Sequence, residues 1–461
     1  MSQQKVAAKS SGKSIFQKKR MKGSLILFCA AWCAAILFAV AMAPLELNAE
    51  EKKQEFSISF SGFVKNDFFY DSRQTVSIRE GHFLLYPAPE SLDVDGQDIN
   101  GKSSLNFLSI QTRLTGTILA PDAFGAKVKG VIEADFFGNE NAAFVDANGF
   151  RLRHAYAQLS WKNTQLLFGQ YWHPLFIPAC YSEVISFNTG APIQPFSRNP
   201  QVRLTQKLGN FSLIAALLTQ RDFTSPGGSA VLRNSTLPEI QAQVQYQGKL
   251  GAAGNELLAG FGAGYKVLDP LLSTEGAAGK YVSDARVSSY ALTAFAKMKL
   301  SDFTIKLQGV YGTNLYDLMM LGGFGVHEVT DLEKNSVSYT PFKTMSIWSE
   351  FQTHGKKLQL GLWAGYTANL GASESVAYYT NSPSSTAATV RGGDIQSVLR
   401  VSPRLLLIAG KLSFAIETEY TNAAYAARDE FGVLFRDEFG VISETDHVAN
   451  LRALFAVILK F

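Results

Sequence analysis

The chain has 461 residues and a formal net charge of +4, from 43 basic and 39 acidic side chains. Residues 1–49 hold seven of the basic residues and one of the acidic ones, so the remainder carries 36 against 38 and offers no basic footprint for nucleic acid. Cys29 and Cys33 lie in that first stretch and Cys180 stands alone after it, which excludes an internal disulfide in the rest of the chain.

Lys18, Lys19, Arg20 and Lys22 stand ahead of a nearly uncharged apolar run, Ser24 to Ala43. Leu47-Asn48-Ala49 follows, and then the polar stretch Glu50-Glu51-Lys52-Lys53. A basic start, an apolar middle and a small residue before a polar stretch describe a cleaved signal peptide spanning 1–49. Ala41-Met42-Ala43 competes as the cleavage site, but Pro44 directly after it hinders a peptidase. Met21 opens a signal of ordinary length and is an alternative start. The competing reading is an uncleaved anchor helix, because the run is long enough to span a bilayer. After it no apolar run is long enough for a membrane helix, which leaves a closed barrel as the way to cross lipid.

Period-two alternation begins at once and marks strands with one apolar and one polar face. Phe56, Ile58, Phe60, Gly62, Val64 and Phe68 oppose Ser57, Ser59, Ser61, Lys65 and Asp67. Leu108, Ile110, Leu114 and Ile118 oppose Ser109, Gln111, Arg113, Thr115 and Thr117. Val128, Ile132, Ala134 and Phe136 oppose Lys127, Lys129, Glu133 and Asp135. Tyr290, Leu292, Ala294, Ala296 and Met298 oppose Ser289, Thr293, Lys297 and Lys299. In the last strand His447, Ala449, Leu451, Ala453, Phe455, Val457, Leu459 and Phe461 share a face, opposite Asn450, Arg452 and Lys460. A strand ending on an aromatic resembles the insertion signal of bacterial outer-membrane barrels.

A soluble sandwich would alternate in the same way, so the connections decide. Short turns lie near Pro121-Asp122, Lys162-Asn163, Gly209-Asn210, Ala252-Gly254, Ser301-Asp302, Gly355-Lys356 and Ala409-Gly410. Long polar loops lie near 71–102, 139–148, 173–198, 223–236, 269–287, 316–342, 371–391 and 426–446. Short turns on one rim and long loops on the other describe an all-β transmembrane antiparallel barrel over 50–461, localised to the Gram-negative outer membrane, with outer-membrane lipid as its partner. Fifteen connections give sixteen strands; eighteen would need a hairpin inside one long loop. Aromatics near strand ends (Phe68, Phe69 and Tyr70; Phe136 and Phe137; Tyr171 and Trp172; Tyr425) suit the headgroup level, although β-propensity also favours them.

For a pore the chemistry is the charge on its wall. The face assignment puts Arg113, Lys127, Lys129, Arg151, Arg153 and Arg203 in one dense basic group. Arginine forks suit carboxylate and phosphate, so the group reads as anion contact; the same arginines could instead pair with Glu133 and Asp135 as neutral cross-strand struts. The loop 173–198 is unusually apolar for one facing water. Folding into the barrel would explain this and narrow the channel, with Arg198, and Glu183 if turned inward, lining it. Packing at a subunit contact is the alternative, and the inward fold is the expectation. Cys180, in that loop, reads as a packed thiol or a reactive one.

Arg151-Leu-Arg-His-Ala-Tyr156, Leu166-Leu-Phe-Gly-Gln-Tyr-Trp-His-Pro-Leu-Phe176 and Pro195-Phe-Ser-Arg-Asn-Pro-Gln-Val-Arg203 together resemble a hairpin and its following segment in DcaP-like porins. Phosphate-selective porins carry a looser version. The likeness covers 151–203. It implies sixteen strands, a homotrimer, uptake of small anionic solutes such as dicarboxylates, and anion contact at Arg151, Arg153 and Arg203. In contrast to family members with a heptad segment before the barrel, only Glu50 to Glu55 precede strand one.

Two other functions compete. An outer-membrane hydrolase needs a nucleophile with a base in reach, and no serine sits in a nucleophile elbow. Of the histidines at 82, 154, 173, 327, 354 and 447, His154 reads as facing lipid or a neighbour. A plugged or anchoring barrel lacks a segment long enough for a separate plug domain. No catalytic site, metal or cofactor is expected. Amino-terminal sequencing of the protein from cell envelopes should begin at Glu50; a start at Ser2 or Lys22 would mean an uncleaved leader.

Overall fold

The computed structural model describes residues 56–138, 149–251, 254–382 and 387–461. The expected signal peptide, 1–49, and the second long loop, 139–148, lie outside them.

Sixteen antiparallel strands form one barrel: β1 Ser57–Asp71, β2 Arg113–Ala123, β3 Ala126–Asp135, β4 Arg151–Ser160, β5 Thr164–Trp172, β6 Arg198–Leu208, β7 Phe211–Leu218, β8 Glu239–Leu250, β9 Asn255–Leu268, β10 Val287–Lys299, β11 Phe303–Thr313, β12 Ser336–Thr353, β13 Leu358–Ala372, β14 Ile395–Ala409, β15 Leu412–Ala426 and β16 Thr445–Lys460. Each pairs with its neighbours in sequence, and β1 pairs with β16 from Phe63↔Lys460 to Asp71↔Arg452, which closes the ring. Alternation sets the faces. Val64, Phe68, Leu451, Phe455 and Leu459 are exposed on the outside, whereas Lys65, Asp67, Asp71, Arg452 and Asn450 are buried within. An apolar exterior band and a polar interior suit lipid outside and water or loops inside.

The seam carries its own ion pair. Arg452 donates Nε to Asp71 Oδ1 at 2.9 Å and Nη2 to Oδ2 at 2.7 Å, and Asn450 Nδ2 donates to the same Oδ1 at 2.9 Å. Two parallel N–H···O bonds fix the relative height of β1 and β16 as well as their contact.

The structure corrects three local expectations. The first turn is Phe124-Gly125, with φ of 54° and 69°, while Pro121-Asp122 lies inside β2 at an irregularity between Ala120 and Ala123. Positive φ at both central residues is the hairpin turn whose twist matches the strands. Strand two is also split. Ser104–Leu108 pairs with the upper half of β1, Arg113–Ala123 with the lower half, and the Thr112 hydroxyl accepts the Lys65 N–H at 3.1 Å between them. That break shifts the phase of alternation, so Ile110 is buried in the interior rather than on the outer face.

The expected aromatic girdle is divided for a related reason. Phe68, Tyr70 and Phe136 face outward, but Phe69, Phe137 and Tyr425 are buried, because neighbours along a strand point to opposite faces. The sixteen-strand count stands although the sixth long loop contains a hairpin, in which Gly322–Asp331 pairs with the start of β12. The hairpin adds no barrel strand, since β11 and β12 pair directly from Phe303↔Thr353 to Thr313↔Lys343.

Replacing Arg452 by leucine should strand the buried Asp71 carboxylate and cost about 3–5 kcal/mol. Urea unfolding in liposomes checks this, with an unchanged midpoint as the contrary result.

Candidate functional site

The inner wall is polar because every second strand residue must face inward, and the loops on the long-loop rim fill that polar tube with apolar side chains. Phe83 and Tyr86 from the first loop, Phe176, Phe187 and Phe196 from the third, and Met319 and Leu321 from the sixth form one buried cluster with wall residues Val398, Ala423 and Val448. Phe83 meets Phe187 and Phe196 edge-on at 5.5 and 5.1 Å, and Phe137 stacks on Phe187 at 4.2 Å.

The third loop, 173–197, is tied to one half of the wall. Gln243 Nε2 donates to Pro174 O at 3.2 Å and Gln308 Nε2 to Leu175 O at 2.9 Å. Lys306 Nζ reaches Tyr181 O at 3.1 Å, Glu183 at 2.5 Å and Glu350 at 2.8 Å. Glu417 accepts the Ile185 and Ser186 N–H groups at 2.7 and 3.0 Å, and Lys65 Nζ donates to Ile185 O at 2.7 Å. Arg400 Nη1 donates to Ala191 O at 2.6 Å, and Ser346 Oγ to Ile193 O. These partners lie on β8, β11, β12, β14, β15 and β1. Among the described residues no hydrogen bond runs from 174–196 to β2–β7. Cys180 packs in this layer against Phe295, Trp348 and Trp363; burial pushes its thiol up to about 11, which leaves it an inert packed group.

The arginine-rich half stands on β2–β6. Glu133 and Asp135 on β3 are its hinge. Arg151 grips Asp135 with Nε–Oδ1 3.0 Å and Nη2–Oδ2 2.8 Å. Arg153 joins Glu133 at 2.7 Å to Asp135 at 2.9 Å, and Arg113 lies 3.7 Å from Glu133. Arg198 donates Nε and Nη2 to Asp222 of the fourth loop at 2.9 and 2.7 Å, and its guanidinium lies over the Trp172 and Phe196 rings. Burial opposes ionisation of Asp222, but Arg198 and Arg151 beside it hold its carboxyl below the usual range. Four guanidiniums thus share three carboxylates.

Arg203 is different. It donates to Gln201 Oε1 at 2.9 Å and Trp172 O at 2.6 Å and lies over the Tyr171 ring at 5.1 Å, with no carboxylate partner among the described residues. Tyr181 of the third loop is close enough to this wall to sense Arg113: burial and Glu183 raise its phenol, and Lys306 and Arg113 oppose the rise.

The basic residues grouped on the sequence are therefore not one patch. Arg113, Arg151, Arg153 and Arg198 come together in the ion network, and Arg203 stands beside it behind Tyr171. Lys127 and Lys129 lie at the short-turn end of β3, with Lys129 four residues, or about 13 Å, from Glu133. No ion pair among the described residues holds either lysine.

His154 corrects the parity reading. Glu133 pairs with His154 and Ala134 with Leu152, so Arg153 is an extra residue in β4. Such a bulge sends two consecutive side chains to the same side. His154 is buried 3.7 Å from Glu133 and meets Tyr171 and Trp172 at 5.3 and 5.4 Å. Gln170 Nε2 binds the carbonyls that the bulge displaces, Leu152 O at 3.2 Å and Arg153 O at 2.9 Å. The slip is visible in the sequence once sought: polar residues fall at 151 and 153, then at 154, 156, 158 and 160. Asp222 carried no such signal, because its loop has no periodicity.

A closed sixteen-strand barrel, short turns on one rim, long loops on the other and a loop lodged inside define an outer-membrane β-barrel of porin type, located in the Gram-negative outer membrane. No protein-family model matches the chain, and no curated protein matches its sequence. The fold is similar to the crystal structure of the outer membrane channel DcaP of Acinetobacter baumannii, with a TM-score of 0.59 and 16% identity over 90% of this chain and 99% of that one. Two structures of OmpT of Vibrio cholerae align over 89–90% of this chain and all of theirs at 10–11% identity, with TM-scores of 0.48 and 0.49, too slight a likeness to argue from.

Glu417→Leu should leave two buried N–H groups of the third loop unpaired, at roughly 1–3 kcal/mol each. Amide exchange at Ile185 and Ser186 should accelerate while exchange in β15 stays slow. Equal acceleration in both would mean that the barrel, not the loop, had loosened.

Proposed function

We propose that the protein is a passive diffusion channel for small hydrophilic solutes that prefers anions, and that it catalyses no reaction. The observation that carries this reading is the charge imbalance on β2–β6 and the fourth loop, the part of the barrel with no hydrogen bond from 174–196 to its strands among the described residues. Arg113, Arg151, Arg153, Arg198 and Arg203 face Glu133, Asp135 and Asp222. Two positive charges remain, on the half of the wall to which the third loop is not bonded. In a narrow passage with low-dielectric walls such an excess concentrates anions and slows cations. Arg151, Arg153 and Arg198 are held as struts and set the field. Arg113, partly exposed and only distantly paired, and Arg203, hydrogen-bonded but without a carboxylate partner among the described residues, are the groups whose charge is left for a solute. Lys127 and Lys129 would extend the positive path to the short-turn mouth. A dicarboxylate preference and a homotrimer rest on the resemblance over 151–203.

Against an enzyme stands the environment of the candidate groups: His154 is wedged between an ion network and aromatic rings, and the Cys180 thiol is buried. The plugged barrel has one observation in its favour, the apolar cluster of the first, third and sixth loops inside the long-loop end.

Planar-bilayer recording under a KCl gradient tests these readings together. An open, anion-selective channel is expected. An Arg113→Gln/Arg203→Ala variant should lower the anion-to-cation permeability ratio at least about twofold, with the fold kept because the bidentate struts are untouched. Cation selectivity in the unmodified protein would overturn the wall assignment, and absence of conductance would favour the plugged barrel.

A further inference from the structure

The eighth long loop joins β15 to β16 and contains the same hexapeptide twice: Arg428-Asp-Glu-Phe-Gly-Val433 and, eight residues on, Arg436-Asp-Glu-Phe-Gly-Val441. Both copies fold into the same turn. Asp429 Oδ1 accepts the Phe431 and Val433 N–H groups at 2.9 and 2.8 Å, and Asp437 Oδ1 accepts those of Phe439 and Val441 at 3.0 and 2.8 Å. Asp429 and Asp437 also each donate their N–H to the valine carbonyl four residues on, at 2.9 Å.

Their surroundings differ. The second copy sits in a seat made by Phe342, by Gly371 and Ala372 at the end of β13, and by Val376 and Tyr379 of the seventh loop. Phe439 O accepts the Ala372 N–H at 2.8 Å and Glu438 O the Val376 N–H at 2.7 Å. Arg436 donates to the Tyr379 hydroxyl and lies over its ring, Val441 covers Gly371, and Gly440 is pressed against Phe342. The first copy has no such seat: Phe431 and Val433 are 82% and 62% exposed, against 36% and 40% for Phe439 and Val441.

We infer that this seat accepts either copy, so that the eighth loop has two registers eight residues apart. Every residue that makes a seat contact, Arg436, Glu438, Phe439, Gly440 and Val441, recurs in the first copy at the same spacing. The seat contacts therefore do not distinguish the copies, and only the flanks do: Leu434-Phe435 follows one and Ile442-Ser443 the other. The displacement required is small. Phe435 N–H donates to Ala427 O at 3.0 Å and Ser443 N–H to Phe435 O at 3.1 Å, so the copies are adjacent rungs of one stack. Moving the first copy into the seat is a shift by one rung, about 5 Å. In that register Ala427 alone links β15 to the seated copy, and residues 434–444 return the chain to β16. The apolar pair presented to the outside is then Phe439 and Val441.

Cysteine cross-linking in the full-length chain with Cys180→Ala, in intact outer membranes, tests the exchange. Val376→Cys with Glu438→Cys reports the register seen here, and Val376→Cys with Glu430→Cys reports the other. Disulfide formation under mild oxidation is the probe, because it joins Cα atoms no more than about 7 Å apart and does not span an extra rung, and peptide mass spectrometry of the unreduced protein is the readout. Both links should form, with yields within about tenfold of each other. Gly440→Val puts a Cβ 2.8 Å from Phe342 at a φ of 76°, so it should weaken the first link and strengthen the second. Gly432→Val should remove the second link alone. The inference is overturned if the Glu430 pair links no better than Val376→Cys with Val94→Cys on the exposed first loop. It is equally overturned if Gly440→Val loses the Glu438 link with no gain at Glu430.

Discussion

A backbone that crosses lipid has to satisfy its own N–H and C=O groups, and in this chain the obligation is met by a ladder with no free edge. The seam between β1 and β16 is where the ladder could have failed, because the two strands come from opposite ends of the barrel sequence. Nine register pairs, from Phe63↔Lys460 to Asp71↔Arg452, join them, and the Asp71–Arg452–Asn450 cluster fixes their relative height from inside. Closure makes one face of every strand an interior, and that interior is what the loops and charges then organise.

The interior is organised by halves. On β8 to β15 and β1, lysines, arginines and glutamates spend their hydrogen-bonding capacity on the third loop: Lys306, Glu417, Arg400 and Lys65 each bind its backbone. On β2 to β6 the charges bind one another. Burying ions is tolerable only when each is paired and hydrogen-bonded, and the two halves meet that demand in different ways. The first uses peptide groups as partners and so anchors a loop. The second uses carboxylates and so makes a stiff panel in which Arg113 and Arg203 are the least satisfied members. The aromatic cluster of Phe83, Phe137, Phe187 and Phe196 joins the first and third loops at the long-loop end.

Much of the architecture could be read from alternation, because a period of two is the direct imprint of a sheet with lipid on one side. The rhythm of short and long connections is a second, independent signal, and it is what separates a barrel from a sandwich. Two of the errors share one cause: parity does not survive a phase slip. At Ser109–Thr112 the break turned Ile110 inward, and at Arg153-His154 the bulge did the same for His154. Paired aromatics such as Phe136-Phe137 cannot share one belt, because adjacent residues point to opposite faces. Loop residues such as Asp222, the partner of Arg198, were invisible because no period links a loop to the strand it meets. The duplicated hexapeptide is plain in the sequence, but only the unequal burial of Phe431 and Phe439 gives it meaning.

The order of polar and apolar residues determined the sidedness of each uninterrupted strand and narrowed the count to sixteen or eighteen, whereas direct pairing of β11 with β12 decided for sixteen. Tertiary structure alone decided which charges neutralise which, where the third loop lies, and which copy of Arg-Asp-Glu-Phe-Gly-Val is covered. Pairing energies depend on distances between atoms that closure brings together from remote parts of the chain, as Ile185 meets Glu417 and Ala191 meets Arg400. No pattern along the chain encodes such a distance; it exists only once the ring has closed.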